Sequence, residues 1–370
     1  MEANKNKIII MILFVLLGIT VSFAQQKEKT FNIGTNGRIE VSIQYGDIKI
    51  DTWDKSQVGV KQEEDEDSGD AFKFVQNGNT LAITSGENPS EDLVLSVPSS
   101  VNLDLNTEGG DIKINGNVTG KVECRTAGGD IQTKDITGST SLNTAGGEVT
   151  TGRITGDAAI NSGGGDLKLN TISGNADLNT GGGNINVSDV KNDLRVSTGG
   201  GNVIAGNCEG ALKVSTGGGN VDVMKVSGEV NVSTGGGDVS IKSSGGKAKV
   251  TTGSGNLRLK DINGGINCYT GSGDVSVELN PDPKLKSEIK SGTGNVTLYI
   301  PANAKATIIA KVQDWDLWGQ NTHNPITSDF PESTEDKHPH LLKTTYLVNG
   351  GGSEIEIETT SGEIHINKMK

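Results

Sequence analysis

The strongest constraint on the fold of this chain is a glycine-rich turn that recurs with a fixed period. Glycine, an acid or amide, and an aliphatic residue follow one another in nine evenly spaced copies, beginning at Gly129, Gly147, Gly165, Gly183, Gly201, Gly219, Gly237, Gly255 and Gly273. Further copies begin at Gly110 and Gly294, and weaker ones at Gly46 and Gly362. Such self-similarity predicts a repeat architecture in which neighbouring units stack and share one core.

Each unit has the residue pattern of two short strands. In the unit from Asn220 to Gly237, apolar and polar residues alternate in two runs, as in strands that bury one face. The expected inward positions are Val221, Val223, Val226, Val230, Val232 and Thr234. Turns at Ser227-Gly228 and at Gly235–Gly237 separate the runs, and glycine is expected to supply positive φ there.

The repeat predicts an all-β fold, a single-chain β-solenoid that resembles a parallel β-helix, with 18-residue coils of two short strands and a cap at each end. With 53 glycines and 4% aromatic residues, the chain has little bulk for a wider core. About ten or eleven coils stacked at ~4.8 Å would make a rod of roughly 50 Å. The predicted division is a signal peptide at 1–24, an N-terminal β cap with the first coils at 25–108, the repeats at 109–300, and a C-terminal β cap with a long surface loop at 301–370.

The two flanks of the repeats resemble each other. Residues 93–101 and 296–304 both pass from alternating aliphatic residues into a proline, Pro98 or Pro301. Residues 25–108 and 281–370 hold all eight prolines, and we expect these segments to cover the open strand edges of the rod.

The N-terminus has the pattern of an export signal. Lys5 and Lys7 precede an apolar run from Ile8 to Val21, and Ser22-Phe23-Ala24 follows with small residues at the positions that a signal peptidase reads. The run is shorter than the ~20 residues that span a bilayer, so cleavage before Gln25 is predicted. We therefore expect an exported protein in the periplasm, on the outer-membrane surface or outside the cell, with no transmembrane segment in the mature chain.

Three cysteines fall on inward columns of the repeat. Cys124 and Cys268 share the column of Val232, and Cys208 shares the column of Val226. Cys124 and Cys268 are eight coils apart, about 38 Å, which is far beyond the ~7 Å limit for a disulfide. We expect all three thiols to be buried, unpaired and inert.

Charge and residue content argue against several functions. The net charge of −13 opposes binding to nucleic acid. Each repeat unit contains one glycine run, unlike the two of a calcium β-roll, and the acid after glycine is often Asn, so we expect it to bond the turn backbone. The acidic stretch 63–67 could hold an ion loosely, but a solvated loop is the simpler interpretation. No cofactor or metal is predicted.

Two further columns bear on function. The threonines from Thr126 to Thr270 could suggest an ice-binding ladder, but alternation places them inward, in the core or the turn. The outward positions, such as Glu229, Asn231 and Ser233, offer neither the exposed aromatics of a carbohydrate platform nor an acid–base pair for a polysaccharide-cleaving enzyme. We therefore expect no catalytic residues.

The repeated Thr-Gly-Gly-Gly-Asp/Asn-Val units, with Gly46-Asp47-Ile48 near the start and Ser361-Gly362-Glu363-Ile364 at the end, resemble the bacterial β-strand-repeat proteins classed as "putative adhesins". The resemblance implies a β-solenoid without a catalytic motif. The hypothesis is a non-catalytic, exported cell-envelope adhesin or structural protein that presents a polar, repetitive surface to a protein or glycan partner. A periplasmic scaffold or regulatory partner in envelope-stress signalling remains the alternative, and a carbohydrate-active β-helix enzyme is a third class. Trp315, Trp318 and His323, in the least repetitive segment, are the candidate binding residues.

Overall fold

The structure is a computed structural model that describes residues 27–62, 71–86, 90–313, 324–338 and 340–369. Within these ranges the chain forms 37 β-strands joined by turns and no helix. No described segment is therefore a helix of the length and apolarity that a membrane crossing requires.

The strands fall into three successive groups along the chain. The N-terminal group is β1 (Lys27–Asn32), β2 (Gly37–Ile43), β3 (Ile48–Trp53), β4 (Gln57–Gln62), β5 (Phe72–Asn77), β6 (Thr80–Ser85), β7 (Leu93–Pro98) and β8 (Val101–Thr107). The repeat group is β9 (Ile112–Ile114), β10 (Val118–Thr119), β11 (Val122–Thr126), β12 (Ile131–Thr133), β13 (Ile136–Thr137), β14 (Thr140–Thr144), β15 (Val149–Thr151), β16 (Ala158–Ser162), β17 (Leu167–Ile172), β18 (Ala176–Thr180), β19 (Ile185–Val190), β20 (Leu194–Thr198), β21 (Val203–Cys208), β22 (Leu212–Thr216), β23 (Val221–Val226), β24 (Val230–Thr234), β25 (Val239–Ile241), β26 (Ala248–Thr252), β27 (Leu257–Gly264), β28 (Ile266–Ser272), β29 (Val275–Pro281), β30 (Ser287–Thr293) and β31 (Val296–Ile300). The C-terminal group is β32 (Ala306–Gln313), β33 (Ile326–Ser328), β34 (Thr334–His338), β35 (Leu341–Val348), β36 (Ser353–Ser361) and β37 (Ile364–Lys368).

Successive strands of the repeats alternate between two long, mostly parallel sheets. Along sheet A the neighbours are β1, β4, β7, β3, β9, β12, β15, β17, β19, β21, β23, β25, β27, β29, β31, β37 and β33. Along sheet B they are β5, β6, β2, β8, β11, β14, β16, β18, β20, β22, β24, β26, β28, β30, β36, β32, β35 and β34. A narrow third side, formed by β10, β13 and bridges such as Val226 to Ser244, joins them. The predicted β-solenoid is confirmed.

The coils stack with each residue directly beside its equivalent in the next coil. Val203 pairs with Val221, and Val214 pairs with Val232. The six predicted inward columns are buried: Val221, Val223, Val226, Val230, Val232 and Thr234 are at most 4% exposed. The flanks add coils to the regular repeats, because their strands continue both sheets. The rod therefore has about fifteen parallel levels and a length of roughly 70 Å, more than the repeats alone predicted.

The threonine that ends most sheet B strands of the repeats ties two coils together, and Ser162 and Ser291 take its place in two coils. Thr216 Oγ1 donates a hydrogen bond to the Gly201 carbonyl of the preceding coil (2.9 Å) and accepts one from the Gly219 N–H (3.2 Å). Thr198 and Thr234 make the same pair of bonds. The prediction that this column points inward is confirmed, and its hydroxyls satisfy backbone groups that the turn would otherwise leave buried without partners.

Close packing between coils requires the glycines of the turn, and positive φ is needed in only some of the coils. A Cβ at Gly201 would lie 2.0 Å from the carbonyl oxygen of Gly183 in the preceding coil. The expectation of positive φ at Gly228 and at Gly235–Gly237 is wrong for this unit, although the equivalent Gly138 and Gly273 of other coils have φ of 154° and 149°. Glycine is needed because stacking at the strand spacing brings the backbones of successive turns into contact.

The chain skips one level of the stack at each end of the rod. At the N-terminus, β2 and β3 lie between the coil of β6 and β7 and the coil of β8 and β9. At the C-terminus, β36 and β37 lie between the coil of β30 and β31 and the coil of β32 and β33. The connections from β7 to β8 and from β31 to β32 therefore pass over a level that another part of the chain fills.

These two connections are the segments that resemble each other in the sequence. Pro98 ends β7 and Pro301 follows β31, so both prolines stand where the chain leaves sheet A to pass a level. Proline suits this position because it cannot donate to a following ladder bond. The similarity of residues 93–101 and 296–304 thus marks the same structural step at the two ends.

The three cysteines occupy the columns that the repeat assigned to them. Cys124 pairs with Leu142 and Cys268 with Val250 in the sheet B column, while Cys208 pairs with Val226. All three are free and buried. Burial raises the pKa of the Cys124 and Cys208 thiols, and it raises the pKa of Cys268 to about 12.

We expect these thiols to resist alkylation in the folded protein. A raised pKa keeps the thiol protonated at neutral pH, and the thiolate is the reactive form. Iodoacetamide at pH 8 should therefore leave all three cysteines unmodified in native protein and modify all three in urea, as read by intact mass. Rapid modification of Cys208 in the native state would contradict its inward placement.

Candidate binding groove

A shallow groove runs along sheet B, parallel to the axis of the rod. Its volume is about 870 Å³. One wall is the column of turn residues that begins at Lys121 and continues once per coil to Lys247, and the other is the outward column from Ser141 to Lys249. The strand starts between them, from Thr140 to Val230, form the floor. Both walls are present over seven coils, a length of roughly 30 Å.

Small side chains open the groove in its first half. Ala159 lies on the outward wall, and Ala158 and Ala176 form the floor beside it. Ala211 continues the turn wall further along. Because the backbones of stacked strands have a fixed spacing, only side-chain size changes the depth of such a surface. Alanine and serine therefore leave room between the two walls in the first half of the groove.

Acids of the turn wall are bound to the backbone of the next coil. Asp157 Oδ1 accepts a hydrogen bond from the Asn175 N–H (2.7 Å), and Asp193 Oδ1 accepts one from the Ala211 N–H (2.8 Å). These carboxylates therefore serve partly to hold adjacent turns in register.

The second half of the groove carries cations. Arg195 and Lys213 are paired in adjacent coils on the outward wall, and Lys249 lies two coils beyond Lys213. Lys247 stands opposite on the turn wall. Within the described ranges, none of these four side chains forms an ion pair or hydrogen bond.

The aspartate or asparagine that follows a glycine turn is structural. Asn202 Oδ1 accepts from the Asn220 N–H at 2.8 Å, and Asn220 Oδ1 accepts from the Asp238 N–H at 2.9 Å. The prediction that this column bonds backbone is correct, but the bond reaches the next coil and not the residue's own turn. Among described residues, no group of three or more His, Cys, Asp or Glu side chains is placed to hold a metal ion.

The carboxylates with lowered pKa values are held by ion pairs outside the groove. The Lys168 ammonium donates a hydrogen bond to Glu148 and holds the pKa of that carboxyl below its usual value. Lys311 acts in the same way on Glu356, at 2.6 Å. These pairs stabilise charge on both partners, which is the opposite of what a general acid requires.

The predicted binding residues Trp315, Trp318 and His323 lie outside the described residues, as does the acidic stretch 63–67. The groove itself was missed. Its signal in the sequence is the succession of small outward residues, such as Ser141 and Ala159, next to a run of cations in the same column. The signal lies in an outward column, whereas the period and the alternation of the repeat are set by the inward columns.

Comparison with known proteins places the chain in a family. The Toastrack DUF4097 family model matches twice, over residues 36–204 and 188–367. No functionally curated protein matches the chain. The two matches overlap within the regular repeats, and each contains one of the two ends at which the chain skips a level.

Three solved structures of low similarity were also found. A "putative cell adhesion protein" from Clostridium sporogenes is 10% identical, with a TM-score of 0.16, and the alignment covers 93% of this chain and 100% of that one. A "putative adhesin" from Parabacteroides distasonis is 12% identical (TM-score 0.24; 74% and 97% covered), and one from Bacteroides fragilis is 9% identical (TM-score 0.20; 93% and 97% covered). At these scores the structures carry no argument about function. The family matches confirm the resemblance seen in the repeats, and the chain belongs to the Toastrack DUF4097 family.

Proposed function

We propose that this protein is a non-catalytic, adhesin-like binding protein that holds an extended protein or glycan chain along the groove of sheet B. The observation that carries this proposal is the direction of the groove. It follows the rod axis across seven coils, so each coil offers the same two outward positions to a linear partner. A compact substrate would use only a small part of such a surface.

The rigidity of the groove supports binding. The outward wall and the floor are residues on strands that are paired on both sides and tied by buried threonines, and turn-wall acids bond the next coil. Little ordering is therefore needed when a partner docks. A preorganised surface loses less conformational entropy on binding.

Export to the cell envelope is part of the proposal. It is supported by the charged, apolar and small-residue pattern of residues 1–24. The division of the chain into a leader, two caps and the repeats likewise remains a prediction.

Filling the groove tests the proposal. Ala159→Trp places a large side chain on the outward wall, and we expect it to reduce binding of the purified protein to its partner on protein and glycan arrays by about ten-fold. Asn186→Trp is the matched control, because Asn186 is an exposed outward residue on sheet A.

Equal binding by wild type and Ala159→Trp would show that the groove is not the binding surface. Loss of binding in both tryptophan variants would indicate a general effect of the substitution. Binding to only an inner-membrane protein in pull-downs would favour the regulatory role in envelope-stress signalling over adhesion.

A further inference from the structure

We propose that the cationic half of the groove binds a linear acidic polysaccharide, whose carboxylates lie against Arg195, Lys213 and Lys249. This inference rests on the binding function proposed above and specifies the chemistry of the partner.

The first argument is the unfavourable stacking of like charges. Arg195 and Lys213 occupy the same outward column in adjacent coils, with Cα atoms one strand spacing apart. Like charges placed directly opposite on neighbouring strands are destabilising. Asp177 precedes Arg195 in the column, but its carboxylate accepts a hydrogen bond from Asn179 Nδ2 (2.9 Å) and forms no ion pair with Arg195. An anion bound in the groove would relieve this repulsion.

The second argument is the contrast with cations elsewhere on the rod. On the N-terminal coils, Asp104 accepts from both Arg38 (2.9 Å) and Arg125 (3.1 Å). At the other end, Lys311 pairs with Glu356 at 2.6 Å. Arg195, Lys213, Lys247 and Lys249 form no ion pair among the described residues, and the same holds for Lys225, Lys242 and Arg258 outside the groove. What sets the groove apart is that four unpaired cations lie along one surface, with Arg195 and Lys213 stacked in one column.

The third argument is the rest of the lining. The groove contains no aromatic side chain, so it cannot stack against neutral sugar rings. It offers instead hydroxyl and amide groups at Ser139, Ser141, Asn175 and Asn231, in the first, third and sixth of the seven coils. A polymer with hydroxyls on every unit and carboxylates at intervals can bind these groups and the cations together. An acidic peptide offers backbone donors and acceptors to the same groups, so poly-glutamate is the comparison that separates the two kinds of polymer.

The net charge of −13 does not prevent this interaction. At physiological ionic strength, charges more than ~8 Å apart are largely screened, so a carboxylate in the groove interacts mainly with the charges that line it. In the cationic half these are Arg195, Lys213, Lys247 and Lys249, against the acids Asp193 and Glu229.

Binding of oligogalacturonate, with one carboxylate per sugar, tests the inference. Its affinity should be measured by calorimetry near 0.15 M salt, beside its methyl-esterified form, which has the same backbone without charge, and poly-glutamate of similar length. The test variant is Arg195→Ser/Lys213→Ser/Lys249→Ser. The control is Lys225→Ser/Lys242→Ser/Arg258→Ser, which removes three exposed cations from outside the groove.

We expect the test variant to bind oligogalacturonate about ten-fold more weakly than wild type, and the control less than two-fold more weakly. The esterified form should bind wild type and the test variant equally and weakly. The inference is overturned if both forms bind wild type alike, if the test variant binds as wild type does, or if poly-glutamate binds as tightly as oligogalacturonate. If the Ala159→Trp substitution still abolishes partner binding in any of those cases, the proposed function stands without this specificity.

Discussion

Gly201→Ala should lower the free energy of unfolding by about 3 kcal/mol, whereas Gly200→Ala, one residue earlier, should leave it unchanged or raise it slightly. A Cβ at Gly201 would lie 2.0 Å from the oxygen and 2.5 Å from the carbon of the Gly183 carbonyl. A Cβ at Gly200 would meet nothing within 4 Å. Gly201 also accepts the Thr216 hydroxyl through its carbonyl, so any shift of its backbone would break a bond between coils.

The sequence itself contains a natural version of this comparison. The third glycine of the turn is retained in every coil from Gly110 to Gly362, while the middle position becomes Ser254, Ser272, Thr293 or Ser361 in the later coils. Side chains are thus accepted at the open position and absent at the crowded one. Urea unfolding followed by circular dichroism would measure both variants. A Gly201→Ala protein as stable as wild type would mean that adjacent turns can separate without cost.

The periodic part of the fold was predictable because each inward position recurs in many coils. Val221, Val226 and Val232 were assigned inward from alternation alone, and all three are buried. The reason for the glycines was not predictable in the same way. Positive φ and close backbone approach both select glycine, and only the stacking of one turn on the next distinguishes them.

The ends of the rod could not be derived from the sequence for a different reason. The similarity of residues 93–101 and 296–304 was visible, but a skipped level depends on which other strand fills the gap. At the N-terminus the filling coil, β2 and β3, comes earlier in the chain, and at the C-terminus β36 and β37 come later. The residues of the two segments do not indicate whether an earlier or a later part of the chain fills the skipped level.

The groove was hidden because outward residues do not follow a common rule. Inward columns repeat the same apolar choice, whereas the outward column from Ser141 to Lys249 changes residue type at each coil. Such variation is typical of a polar surface that has no specific role. Only the register of the strands shows that Arg195 and Lys213 stack on each other and that Ala158, Ala159 and Ala176 lie together in neighbouring coils.

Removal of residues 353–370 should release the C-terminal strands β32 to β35 from the rod. β36 pairs in parallel with β30 on one side and with β32 on the other, so its loss leaves an empty level between them. Two strand spacings, about 9.6 Å, are too far for a backbone hydrogen bond. In hydrogen exchange, we expect the strands β32 to β35 to lose protection, while the coils from β11 to β28 keep theirs.

A chain that ends after Ile300 is the matched control, because it removes the skipping strands together with the coil that they enclose. We expect its boundary of protection to coincide with that of the chain lacking 353–370, since both end the continuous ladder at β30 and β31. If β32 instead kept full protection without β36, it would have to pair directly with β30. That result would mean that β32 can pair with β30 almost as stably as it pairs with β36. The last two strands would then not be required to hold β32 on the rod.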